Sequence, residues 1–208
     1  MTPVLSRRII LMAGALAALR VSAQPAAPLL AAERILKEVT GAPVRPFSTR
    51  DFGRDEYPGG RSVRVPEKRA EQVLMEARKR LTPGLVAFVG VTRDLSRNPP
   101  PGVELVVAPG KDQFDILRVA ATDGTNYGLG TEAIVTELKA WDRDFGIDIW
   151  QAETDTVQLR LKKPPKDMMA FARRVYAFCP DIVDQGTGSV EELARTIARE
   201  KAVYLWWD

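Results

Sequence analysis

Ala177-Phe178-Cys179-Pro180-Asp181-Ile182-Val183-Asp184-Gln185-Gly186-Thr187-Gly188-Ser189 leads through one amphipathic segment into Ala202-Val203-Tyr204-Leu205-Trp206-Trp207-Asp208. Chain ends are ordinarily polar and frayed, whereas two of the 4 tryptophans stand here beside the last residue, so this end is built into the fold. Pro180 stops a helix, because proline lacks an amide hydrogen and its ring clashes with the preceding turn. Ser189 with Glu192 forms a capping-box pattern that starts the next helix, whose Val190, Leu193, Ala194 and Ile197 share one face. Val203, Leu205 and Trp207 then alternate with Tyr204 and Trp206, apolar on both sides. That pattern predicts a strand interior to a sheet and covered on both faces, or one that offers an aromatic face to a partner or groove. The class expected is α+β: a mixed sheet packed with amphipathic helices, with the C-terminal strand within the sheet.

Working back along the chain, Met168, Phe171, Ala172, Val175 and Phe178 lie on one side of a helix launched by Pro164-Pro165. Ile147 to Ala152 and Thr156 to Leu161 read as two strands of a hairpin around Glu153-Thr154-Asp155. Thr131 is placed to cap a helix with Ile134, Leu138, Trp141 and Phe145 inward, closed by Gly146. Asp112 to Ala121 fits both a short helix and a strand, and helix is preferred. Leu85 to Thr92 and Val103 to Ala108 are strand runs joined by Asn98-Pro99-Pro100-Pro101-Gly102. Ala70, Val73, Leu74, Ala77 and Leu81 share a helical face between Pro66 and Thr82-Pro83-Gly84.

At the other end, Ser6-Arg7-Arg8 precedes an apolar run from Ile9 to Leu19, then Arg20 and Val21-Ser22-Ala23. A basic start, an apolar run too short to span a bilayer and small residues before a cleavage point make residues 1–23 a signal peptide. The mature chain is therefore expected in the periplasm or secreted, with no stable membrane span after cleavage. The paired arginines with Leu11 resemble a twin-arginine export signal, although Ile10 and Met12 stand where that motif prefers Phe and Lys, and an ordinary secretory signal stays open. Residues 24–32 read as a linker, residues 33–110 as an N-terminal α/β extension or subdomain, and residues 111–208 as the main domain.

The chain has 30 basic and 27 acidic side chains, and residues 1–23 hold Arg7, Arg8 and Arg20 with no acid. The excess thus belongs to the export segment, and the balanced remainder gives no electrostatic reason to propose nucleic acid as a partner. One cysteine excludes an intrachain disulfide, so stability must come from an ordinary core.

Several motifs in register carry a resemblance. Asp115-Ile116-Leu117-Arg118, Thr122-Asp123-Gly124-Thr125-Asn126-Tyr127-Gly128, Trp141-Asp142, Phe178-Cys179-Pro180-Asp181, Gln185-Gly186-Thr187-Gly188 and Trp206-Trp207-Asp208 together resemble the bacterial family called domain of unknown function 4253. The resemblance covers roughly the last hundred residues, a length typical of one domain. It implies a mixed α+β domain and no established activity.

With no histidine in the chain, Ser-His-Asp and Cys-His catalysis, His-based zinc sites and His acid-base chemistry are excluded. Cys179, at a helix end beside Phe178, reads as a buried structural thiol. Asp181, Asp184 and Asp208, the last also bearing the terminal carboxylate, could converge on a hard cation such as calcium, or simply cap turns and close the chain. Gly186-Thr187-Gly188-Ser189 precedes a helix but lacks a P-loop lysine, so a tight turn and cap account for it.

No catalytic residue, metal ligand or cofactor is assigned. Asn126, Tyr127, Asp181, Asp184, Gln185, Thr187, Trp206, Trp207 and Asp208 form the candidate binding surface. They suit a non-catalytic binding or protein-interaction domain of the cell envelope, whose partner is an unknown protein or small ligand. The alternatives are a carboxylate-dependent enzyme acting on an envelope component such as a carbohydrate, and a structural domain without a ligand.

Overall fold

The computed structural model describes residues 27–48, 56–92 and 101–208. The segment read as a signal peptide and most of the Pro-rich loop lie outside the described residues. Helix α1 (Ala27–Thr40) leads into β1 (Arg45–Ser48), β2 (Glu56–Val65), α2 (Ala70–Lys79), β3 (Leu85–Val89) and β4 (Val103–Pro109). There follow α3 (Asp115–Ala120), α4 (Thr131–Phe145), β5 (Ile147–Ala152), β6 (Thr156–Leu161), α5 (Met168–Phe178), α6 (Val190–Glu200) and β7 (Ala202–Trp206). The strands form one 7-stranded sheet in the order β1-β2-β4-β3-β5-β6-β7. Neighbours are antiparallel except β3 and β5, whose parallel contact at Val89 and Gln151 joins the two halves.

Alternation along the central strands divides the core into two layers, as period-2 geometry requires. Leu85, Ala87 and Val89 of β3 pack with Ala32, Ile35 and Leu36 of α1 and with Val73, Leu74 and Ala77 of α2. Val86 and Phe88 face the opposite side, where Ile116 and Leu117 of α3, Leu138 and Trp141 of α4, Phe171 and Val175 of α5 and Leu193 and Ile197 of α6 cover β5, β6 and β7. Trp141 is fully buried; its ring meets Phe171 and Phe178 edge-on, and its indole donates to Glu137 at 2.7 Å.

Four expectations change. Residues 27–32, read as linker, are the first turns of α1, with Ala32 buried against the sheet. Alanine's high helix propensity and this tertiary contact prevail over the nearby prolines. The sheet also crosses the boundary drawn at residue 110, because β4 belongs to the same ladder that continues through β3 into β5. Gly130, not Thr131, occupies the N-cap of α4, and Thr131 is already helical. Finally, β7 is paired into the sheet at its end rather than in its interior: among the described residues its neighbour is β6 alone. Val203, Leu205 and Trp207 enter the core, while Tyr204 faces outward and is 46% exposed.

Two caps fit the chemistry of helix starts. The Ser189 hydroxyl accepts from the Glu192 amide at 3.1 Å, and Asp167, which the sequence did not single out, accepts from the Ala170 amide at 2.8 Å. Among the described residues no helix is long and apolar enough to cross a membrane.

Gly102 enters β4 at φ +85°, and a Cβ there would drive into the Val65 carbonyl oxygen. Gly102→Ala is expected to cost about 2–3 kcal/mol, combining left-handed strain with backbone displacement. The readout is the urea midpoint at unchanged slope. A shift equivalent to less than about 0.5 kcal/mol, the size of an ordinary surface substitution, would show that this turn absorbs the methyl group.

Candidate functional site

Asp181 lies where the helix stop at Pro180 turns the chain into a π-helical turn, Ile182–Thr187. It is 4% exposed, and both carboxylate oxygens are engaged. Oδ1 accepts from the Tyr127 hydroxyl at 2.6 Å and from Gln185 Nε2 at 3.0 Å; Oδ2 accepts from the Asp208 amide at 2.9 Å. Burial alone would raise the carboxyl's pKa, but the three hydrogen bonds, Tyr127's foremost, outweigh it and hold Asp181 ionised below the usual Asp range. The same hydrogen bond, followed by burial and the charge of Asp181, pushes the Tyr127 phenol up to about 12.

A second set of contacts fastens the α3–α4 connection to the β5–β6 turn. The Thr122 hydroxyl donates to the Glu153 carbonyl at 2.6 Å, and the Asp123 amide to the Thr154 carbonyl at 2.8 Å. Gly124 is required by close approach: a Cβ would sit 3.0 Å from Cδ1 and Cγ of the Trp207 ring. Trp207 is itself 4% exposed. Its amide donates to Asp155, its indole to the Phe178 carbonyl at 3.3 Å, and its ring meets Phe178 edge-on at 5.5 Å.

These contacts leave a pocket of about 260 Å³ lined by Asp123, Thr125, Asn126, Thr154, Asp155, Trp207 and Asp208. A separate groove of about 210 Å³ between β7 and α6 is lined by Thr187 and Trp206 with Ile182, Leu193 and Ile197.

The residues picked from sequence therefore divide. Asn126, Trp207 and Asp208 meet at the polar pocket, and Thr187 and Trp206 at the apolar groove. Tyr127 and Gln185 are spent on Asp181, while exposed Asp184 accepts from the Tyr176 hydroxyl at 2.9 Å. Trp207 is a buried packing residue that shows one wall to the pocket rather than an exposed recognition residue. Asp181, Asp184 and Asp208 do not converge on a cation, since hydrogen donors occupy both oxygens of Asp181. Asp123, Thr154 and Asp155 were missed as site residues. Asp123 stood within a recognised motif, but the hairpin turn bore only a turn signal.

Cys179 is fully buried and ties the tail to this region. Its thiol donates to the Trp206 carbonyl at 3.0 Å and accepts from the Trp206 amide at 3.3 Å. Burial pushes the thiol up to about 11, so at neutral pH it stays protonated and poorly nucleophilic.

Fold and site together define a layered α+β domain with a small acidic pocket at one end of its mixed sheet. Residues 104–208 match the model of the family described as Domain of unknown function (DUF4253), and the chain belongs to that family. Comparison with curated proteins and with solved structures gave no match.

Proposed function

We propose that this chain is an exported bacterial binding domain that works in the cell envelope without catalysing a reaction. The observation that carries the reading is the pocket beside Trp207. Three segments distant in sequence, the Gly124 loop, the β5–β6 turn and the chain's last residues, are locked together there, yet leave a cavity with polar walls. Held on strands and hydrogen-bonded turns, such a cavity is preorganised, which lowers the entropic cost of binding. Export is supported by the basic, apolar and small-residue parts of residues 1–23.

Fractionating a bacterial host that expresses the full chain tests the compartment. The product is expected in the periplasm or medium with Gln24 at its N-terminus, and Arg7→Lys with Arg8→Lys is expected to block a twin-arginine route. Cytoplasmic protein that retains residues 1–23 would overturn export. The binding role is tested by an amide-shift screen of amine, carboxylate and sugar fragments. Hits are expected to perturb Asp123, Thr154 and Asp155, and no perturbation by any fragment class would overturn the role.

A further inference from the structure

We propose that the sheet opens at the seam between β3 and β5, and that Arg78 and Gln113 form the latch that holds it shut. β3 runs beside β4 in unbroken register from Leu85 to Val89, whereas among the described residues it meets β5 only at Val89 and Gln151. An ordinary parallel pair is closed by evenly spaced backbone hydrogen bonds along its length. Here two side chains stand in for them. Arg78, in the last turn of α2, donates from Nε to the Ala87 carbonyl of β3 at 3.1 Å and from Nη2 to the Ile149 carbonyl of β5 at 2.6 Å. Its Nη1 also donates to Asp148 at 2.7 Å. Gln113, between β4 and α3, acts as a short piece of strand: its Oε1 accepts from the Ile149 amide at 3.0 Å, and its Nε2 donates to the Ile147 carbonyl at 3.3 Å.

Such a seam holds less firmly than a ladder. Each stitch orders a long side chain, and Arg78 and Asp148 are partly exposed, so water competes for their bonds. The halves on either side, by contrast, each carry a core. α1 and α2 pack on β2, β3 and β4 in one cluster, while α4, α5 and α6 pack on β5, β6 and β7 in the other. On the second face α3 touches both β3 and β5; on the first, Trp150 and the Arg160–Glu71 pair reach across.

Proteins open in cooperative units at free energies below that of global unfolding. The seam divides this chain into a unit from α1 to β4 and a unit from α3 to β7. Among the described residues the first cluster is the smaller, so the first unit is the one that opens. A partner that recognises only the shut or only the opened sheet would shift this equilibrium.

The test is native-state hydrogen exchange of the purified chain in low urea, read amide by amide. Amides of β2 and β4 are expected to exchange through one shared opening with a smaller urea dependence than global unfolding, and those of β6 to wait for global unfolding. One common free energy and slope for all these strands would overturn the proposal. Arg78→Ala is expected to speed exchange of β2 and β4 about tenfold, and Gln113→Ala, the milder change, about threefold. Asp148→Ala lies in the second unit, yet is expected to speed β2 and β4 about threefold, because its pair with Arg78 breaks when the seam opens. Val175→Ala, buried in the second core, is expected to speed β6 about tenfold and leave β2 and β4 unchanged, because that core stays intact in the opened state. If Asp148→Ala leaves β2 and β4 unchanged, or Val175→Ala speeds them as much as β6, the sheet does not part between β3 and β5 and the proposal falls.

Discussion

Asp181→Ala is expected to lower the unfolding free energy by about 3 kcal/mol at pH 7, because it removes a buried acceptor that three donors share. The three do not suffer equally. Tyr127 and Gln185 are exposed and can turn to water, whereas the Asp208 amide is held by the end of β7, so the loss should appear as detachment of the tail. Asp181→Asn refines the test. Its carboxamide oxygen can still accept from Tyr127 and Gln185, but its NH2 then faces the Asp208 N–H, donor against donor. The isosteric change is therefore expected to cost about 2 kcal/mol, nearly as much as truncation.

The pH dependence follows from the sign of the shift. The folded carboxyl has a pKa below the ordinary 3.8, so its contribution is present above that value and is lost as pH falls through the folded pKa. Urea denaturation at pH 7 and near pH 3 is expected to show wild type and Asp181→Asn drawing together in acid. Variants within about 0.5 kcal/mol of wild type at pH 7 would show that the knot does not hold the tail.

Trp207→Ala is expected to cost about 3–5 kcal/mol, the range for truncating a buried aromatic side chain. The ring packs over Gly124 and against Phe178 and bonds the Phe178 carbonyl, so its removal opens a cavity beneath the α3–α4 connection and frees that carbonyl. Trp207→Phe keeps a ring but loses the indole donor, and a smaller loss of about 1–2 kcal/mol is expected. Asp184→Ala serves as the control: this carboxylate is exposed and accepts a solvent-facing hydrogen bond from the Tyr176 hydroxyl, so stability should stay within about 0.5 kcal/mol. Thermal or urea unfolding monitored by near-UV dichroism separates the three. A Trp207→Ala protein as stable as wild type would mean that the tail rests on the surface instead of closing the core.

Local periodicity made much of the second half legible. The limits of β5 and β6 agree with the alternating runs at Ile147 and Thr156, and the buried faces of α4, α5 and α6 with spacings of three and four. That the C-terminal strand belongs to the sheet was legible, but its place at the edge was not, because alternation reports which faces are covered and not how many neighbours a strand has. Helix α1 was hidden by its composition, where prolines beside alanines look like linker until the sheet beneath them is known.

The site was half legible for a similar reason. Tyr127, Asp181, Gln185 and Asp208 each belonged to a recognisable motif, and it is the fold that joins them into one knot, in which Tyr127 reaches Asp181 across 54 residues of chain. Thr154 and Asp155 carried no more than a turn signal. Their importance comes from the pairing of β5 with β6 and from the backbone bond between Asp155 and Trp207.

The clasp between Cys179 and Trp206 has a bearing on solubility. Trp207 directs its amide to the β6 side, so Trp206 turns its own N–H and C=O toward the outer margin of the sheet, where the sulfur receives both. Unpaired backbone groups on a last strand are a template for another molecule's strand, and aggregation commonly begins there. One thiol thus fills the place of a missing eighth strand at that position. Because it is enclosed while doing so, the chain carries a lone cysteine without offering it to form a bridge with a second copy.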